Sequence, residues 1–208
     1  FPKTADAQSV AFRRRLFRHL VAGTLPAGLA GLFFEHVIEE RLRQPLPIAG
    51  AMIVIGLLIW LAESRGRFGR DLDQTTRGDP LWIGVAQALA LLPGVSRSGV
   101  TILAGLWLGM KRETAARFSF LLSTPIIAGA ALKEVPKLIH LRHTAGGLEL
   151  SLSMLAVSVA LSGIVGYLVI AAFLRYLQTR TLHFFVYYRL AFGIVILLLV
   201  FLQAGRAR

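Results

Sequence analysis

The 208-residue chain is 55% hydrophobic and 16% charged, with a mean hydropathy of +0.65, which excludes a soluble globule and identifies an all-α polytopic membrane protein. Its formal net charge is +12. The basic residues fall between apolar spans, so they are read as orienting the protein and touching anionic lipid, with no nucleic-acid partner expected. It has no cysteine, which excludes disulfides and thiolate chemistry.

The first 11 residues are polar and mixed, with no apolar core of a signal peptide. A start at Phe1 rather than methionine leads us to expect further sequence upstream. Apolar runs then follow at Leu20–Phe34 (extendable to Phe17), Leu46–Ala62, Phe118–Leu132, Leu150–Leu174 and Phe184–Gln203, enough for about five transmembrane helices. Small residues at Gly28, Gly31, Gly163 and Gly166 predict close helix packing. Between the second and third runs lies one long polar connector, 63–80, whose four arginines and four acids cancel. The stretch 140–147, with His140 and His143, reads as an external loop turning at Gly146 and Gly147, not as a metal site, because no third ligand is near. Glu63 and Glu134 end spans and are read as interfacial; Arg189, inside the last span, either pairs with an acid of the upstream block or approaches the site, and the structural ion pair is the preferred reading.

Residues 81–92 and 100–110 are also apolar, but each is about a dozen residues and too short to cross a membrane alone. Between them Pro93-Gly94 breaks the helix. Two arrangements compete, one kinked crossing or a re-entrant hairpin that enters and leaves on one side, and the loop charges are taken to favour the hairpin. Fourteen Lys and Arg then lie on one face and seven on the other, with Arg97 and Arg189 inside apolar segments. The richer face is expected to be cytoplasmic, which puts the N-terminus there and the C-terminus outside.

The break itself carries the chemistry. Pro93-Gly94-Val95-Ser96-Arg97-Ser98-Gly99 sets an arginine between two serines, at a depth where an ionisable group marks a functional cavity. Gly94 and Gly99 permit close backbone approach and left-handed angles. Ser96 and Ser98 offer hydroxyls, and Arg97 offers a planar fork matched to phosphate oxygens. A helix starting near Ser98 aims its free amides at the same place, and Thr101 stands one turn further on. No acid neutralises the arginine, so the expected ligand is a phosphate or diphosphate. Arg97, Ser96 and Thr101 are the expected catalytic residues, Ser96 in a binding rather than a nucleophilic role. Gly94, Ser98 and Gly99 are the expected substrate-binding residues.

These residues resemble the undecaprenyl-diphosphate phosphatase family of bacterial membranes. The family pattern Pro-Gly-x-Ser-Arg-Ser-x-x-Thr is met at every fixed position of 93–101, with further likeness at Gly105, Gly109, Arg117–Leu122, Pro125, Ala62-Glu63 and Tyr188-Arg189. The resemblance implies removal of the terminal phosphate from a C55 polyprenyl diphosphate, which recycles the peptidoglycan lipid carrier and confers bacitracin resistance. It also implies a multi-pass protein of the bacterial inner membrane and an inverted-repeat fold with two re-entrant hairpins. The second half of that repeat is complete here and the first half partial.

A second family signature, paired carboxylates followed by Pro-x-Ser-Ser and a histidine, has no counterpart in this sequence; Glu35 and Glu39 read as a helix end. The 208 residues are therefore expected to form a single integral membrane domain lacking the first hairpin and one helix. The family's divalent cation, Mg or Ca, is implied, but its ligands are unknown here, and this chain by itself is expected to be inactive. Expected partners are the polyprenyl diphosphate, the membrane and, as one arrangement, a second copy in a homodimer. The alternative function is a non-catalytic lipid-phosphate binder, transporter or flippase built on the same broken-helix logic.

Overall fold

The computed structural model describes residues 3–42, 44–144 and 152–206, with side chains described for 9–33, 44–136 and 153–205. Seven α-helices follow in chain order: α1 (Lys3–Leu42), α2 (Pro45–Arg65), α3 (Asp79–Ala88), α4 (Arg97–Trp107), α5 (Arg112–Thr144), α6 (Leu152–Thr179) and α7 (His183–Arg206). Five segments are long and apolar enough to cross a membrane: Ser9–Phe33, Pro45–Arg65, Arg112–Pro136, Ser153–Thr179 and His183–Gly205. They coincide with the five apolar runs of the sequence. Prolines mark starts as well as interruptions. Pro45 opens α2, where its missing N–H costs nothing. Pro26 lies inside α1, and Pro125 and Pro136 inside α5, without ending either helix.

The helix α5 continues to Thr144, so 140–144 is helical rather than the expected loop; the glycine turn lies outside the described residues. The small-residue faces differ from expectation too. A Cβ at Gly28, Gly163 or Gly166 would meet nothing within 4 Å among the described residues, and one at Gly31 only Leu91, at 3.9 Å. The close crossings occur elsewhere. A Cβ on Gly84 would lie 2.3 Å from the Gly23 carbonyl oxygen, where α1 crosses α3, and one on Gly193 2.7 Å from Ile53, where α7 crosses α2. The helix α6 touches the core through Phe173, Leu174 and Leu177 near its C-terminal end, with Phe173 edge-on to Phe120 at 6.0 Å.

The short helices form the expected hairpin. The helix α3 tightens into a 3-10 turn over Leu89–Leu91, and Leu92 is extended, as a residue before proline must be. Five residues later α4 begins. At the other end of the pair, Arg70 ties both strands of the hairpin together. Its guanidinium donates to Asp79 Oδ2 at 2.5 Å, at the start of α3, and to the Leu108 carbonyl at 2.7 Å, at the end of α4. The amides of Gly69 and Arg70 donate to the Gly109 carbonyl at 3.1 and 3.0 Å, and Lys111 N to the Arg70 carbonyl at 3.0 Å. Entry and exit therefore lie on one side.

That same end holds most of the basic residues with described side chains. Arg15 donates to the Asp73 carbonyl, and Lys111 pairs with Asp71 at 2.5 Å. Glu63, at the end of α2, has its side chain fully buried against protein. It accepts from Arg112 Nε at 3.0 and 2.9 Å, from Arg112 Nη2 at 2.7 Å and from Leu182 N at 3.0 Å. One carboxylate thus joins the end of α2 to the starts of α5 and α7. The core beneath it is formed by Ile59, Ile83, Leu106, Met110, Phe118, Leu122, Leu182 and Val186.

Candidate functional site

The loop 93–96 is wedged between α2 and α7. Gly94 has φ +90, and a Cβ there would sit 2.4 Å from the Ile48 carbonyl oxygen of α2, so glycine is required both by angle and by space. The neighbour that comes close is protein backbone, not a ligand. Ser96 has φ +67, the one non-glycine with positive φ among the described residues. Such backbone is strained and persists only where its surroundings fix it. The Ser96 hydroxyl accepts from Gly99 N at 3.2 Å and so caps α4, which starts at Arg97, one residue earlier than expected. Gly99 lies in the first helical turn without left-handed angles; a Cβ there would press on Ser96 Oγ at 3.1 Å. Ser96 and the two glycines therefore frame the site rather than line it.

Arg97 and Ser98 do line it. With Ser119, Phe120 and Ser123 of α5 they enclose a recess of about 310 Å³. Among the described residues the Arg97 guanidinium has no carboxylate or carbonyl partner, and the Ser98 hydroxyl has no hydrogen bond. The amides of Arg97 and Ser98 open α4 and have no acceptor within it, so its positive end faces the same side. A cation, a hydroxyl and helix amides converge with no anion to satisfy them.

Thr101 stands behind this wall. It is fully buried, its hydroxyl 2.8 Å from the Arg97 carbonyl and 2.6 Å from Ser119 Oγ. A hydroxyl has one proton. While Thr101 donates to the Arg97 carbonyl, Ser119 must donate to Thr101 and can show the recess only lone pairs. If Thr101 turns its proton to Ser119, the Ser119 proton is released toward an anion. Thr101 thus sets which way Ser119 points. Ser123 donates to the Phe120 carbonyl at 2.7 Å.

Arg189 is buried with no acidic partner among the described residues, and of its two expected places, an ion pair or an approach to the site, it takes the second. Its Nη2 donates to the carbonyls of Gly94 at 2.6 Å and Val95 at 3.1 Å, and its Nε reaches the Met52 carbonyl at 3.4 Å. Sequence reasoning did not assign Ser119 or Ser123 to the site. The signal for the serines was two hydroxyls four apart, one helical face, on an otherwise apolar span. Among the described residues no imidazole or carboxylate lines the recess, so this donor set does not fit a divalent cation.

Comparison with known proteins bears on what this recess takes. The family described as "Bacitracin resistance protein BacA" matches residues 2–195. The chain is 42% identical to an undecaprenyl-diphosphatase of Thermodesulfovibrio yellowstonii, over 95% of this chain and 75% of that protein. It is 47% identical to the undecaprenyl-diphosphatase of Geobacter metallireducens, over 96% and 72%, and 43% identical to that of Geotalea daltonii, over 99% and 74%.

Proposed function

The chain belongs to the bacitracin resistance protein BacA family, and from that premise we propose that the recess beside Arg97 holds the diphosphate end of its lipid substrate. The activity is that of an undecaprenyl-diphosphatase: hydrolysis of undecaprenyl diphosphate to the monophosphate carrier used in cell-wall synthesis. Removing the diphosphate, bacitracin's target, accounts for the family's name.

The observation that carries the site is the Arg97 guanidinium at the opening turn of α4, without a partner among the described residues and in a recess that no described acid lines. Charge that builds on the departing phosphoryl group is stabilised by Arg97 and by the amides of Arg97 and Ser98, all in place before reaction. Ser98 donates to a phosphate oxygen, and Ser119 does so once Thr101 has turned. Phe120 closes one wall, and the polyprenyl tail lies against the apolar helix surfaces. Water attacks the terminal phosphorus in this reading, since Ser96 Oγ is engaged as the helix cap: the bridging P–O bond breaks, undecaprenyl phosphate leaves, and the water's protons go to the inorganic phosphate formed and to solvent.

The basic end formed by the N-terminal part of α1, the 66–78 connector and the end of α4 faces the cytoplasm in this reading, by the positive-inside bias. The deciding experiment is Arg97→Ala in the full-length protein, with phosphate release from undecaprenyl diphosphate as the readout. We expect release to fall by at least 100-fold, the scale of one lost transition-state donor, with membrane insertion intact. Turnover like the parent's refutes the assignment.

A further inference from the structure

Resting on the reading of Arg97 as the phosphate ligand, we infer that Arg189 is the positioning residue of the anion loop: it holds the backbone that aims Arg97. Arg189 has no described carboxylate to neutralise it, yet it is buried in a membrane helix. A guanidinium in that setting must spend its donors on something. It spends two on the successive carbonyls of Gly94 and Val95 and points a third at Met52 of α2. Those two carbonyls lie immediately before Ser96, whose φ of +67 needs external support, and Arg97 is the next residue.

The rest of α7 acts at the other side of the strained residue. Phe185, one turn before Arg189, lies under its guanidinium at 5.6 Å and would sit 3.5 Å from a Cβ on Gly99. The α7 helix therefore grips the chain on both flanks of Ser96-Arg97, at 94–95 through hydrogen bonds and at 99 through the ring. The α2 helix supplies the back stop, with the Ile48 carbonyl against Gly94. A lysine reproduces only part of this: its one nitrogen can face the two carbonyls that Nη2 serves, but it has no second nitrogen in the place of Nε to reach Met52 and no planar face to lie on Phe185.

The test is a double-mutant cycle in the full-length protein in lipid nanodiscs, with undecaprenyl diphosphate as substrate and Arg97→Lys as the second variant. Displacement of a binding group by about 1 Å costs on the order of 100-fold. Arg189→Lys is accordingly expected to lower kcat by about 100-fold, with KM within about threefold of the parent's. In the Arg97→Lys background the same change is expected to cost less than about threefold, because there is no guanidinium left to aim. Parent-like kcat in Arg189→Lys overturns the inference, as does a loss of equal size in both backgrounds. Should Arg189→Lys fail to fold, Arg189→Gln, which retains N–H donors, is read in the same cycle. Failure of both to yield a monodisperse protein assigns Arg189 to folding and overturns the role. Parent-like turnover in Arg97→Lys refutes the underlying site as well, whereas additive losses refute the role of Arg189 alone.

Discussion

Glu63→Gln separates stability from chemistry. The Glu63 carboxylate is fully buried and takes four hydrogen bonds at 2.7–3.0 Å, three from Arg112 and one from Leu182 N. Breaking a buried pair by removing one member costs about 3–5 kcal/mol. Here Arg112 keeps 29% of its side chain in contact with solvent, so part of its charge is recovered by hydration and by the Phe68 ring 4.6 Å away. The lower end, about 2–3 kcal/mol, is therefore expected after that discount. For a chain of this size that corresponds to a fall in Tm of roughly 5–10 °C. Thermal unfolding in detergent, followed by tryptophan fluorescence, measures it, with phosphate release assayed below the transition. An unchanged Tm refutes the inference that this pair holds α2, α5 and α7 together. A parent-like Tm with lost turnover would instead make Glu63 part of the chemistry.

Gly94→Ala forces a side chain onto φ +90 and into the Ile48 carbonyl at 2.4 Å; left-handed strain of about 1–2 kcal/mol and overpacking of about 1–3 kcal/mol should combine in a large loss of folded yield, scored by size-exclusion chromatography. Thr101→Val removes the hydroxyl that Ser119 donates to and leaves buried hydrogen-bonding capacity unpaired at a cost of about 1–3 kcal/mol, so Tm should fall with insertion unchanged in a cell-fractionation assay, and an unchanged Tm rules out a stabilising Thr101–Ser119 pair. Burial by itself would raise the pKa of Asp79, but hydrogen bonds from Arg70 and from Thr76 prevail and hold it below its ordinary 3.8. A depressed carboxyl pKa stabilises the fold above the unfolded value and ceases to do so as pH falls through the folded value. Tm should hence decline below about pH 4, and Asp79→Asn should flatten that acid limb while lowering Tm at neutral pH. An acid limb unchanged in Asp79→Asn rules Asp79 out as its origin.

The five spans were legible because length and apolarity alone decide what crosses a bilayer. Two helices too short to cross and the Pro-Gly between them left a hairpin and a kinked crossing both open, and the hairpin was chosen on loop charge. Its charge balance was not informative. In a single crossing, Lys111, Arg112, Arg117, Arg175 and Arg180 trade sides with Lys133, Lys137, Arg142, Arg206 and Arg208, and the split stays at fourteen to seven. What settles the path is Arg70, whose partners are one carboxylate and several backbone carbonyls. At the site, Arg97 and Ser98 were legible as unneutralised donors. The division of labour behind them was not. Ser96 and Thr101 belong to the same short motif as Arg97, yet one is spent on a helix cap and the other on a neighbouring serine. Arg189 was misjudged for a related reason: a search for acids overlooks carbonyls, which every residue carries and no sequence displays.

At the crossing of α1 and α3 the main chains meet with nothing between them, since even one methyl on Gly84 would overlap the carbonyl of Gly23. The depth to which the hairpin is sunk is consequently set by peptide against peptide, not by the fit of any interchangeable side chain. Exposed residues such as Trp82 and Val85 can then vary without moving the loop that carries Arg97, while a single added carbon at the crossing would lift the whole hairpin.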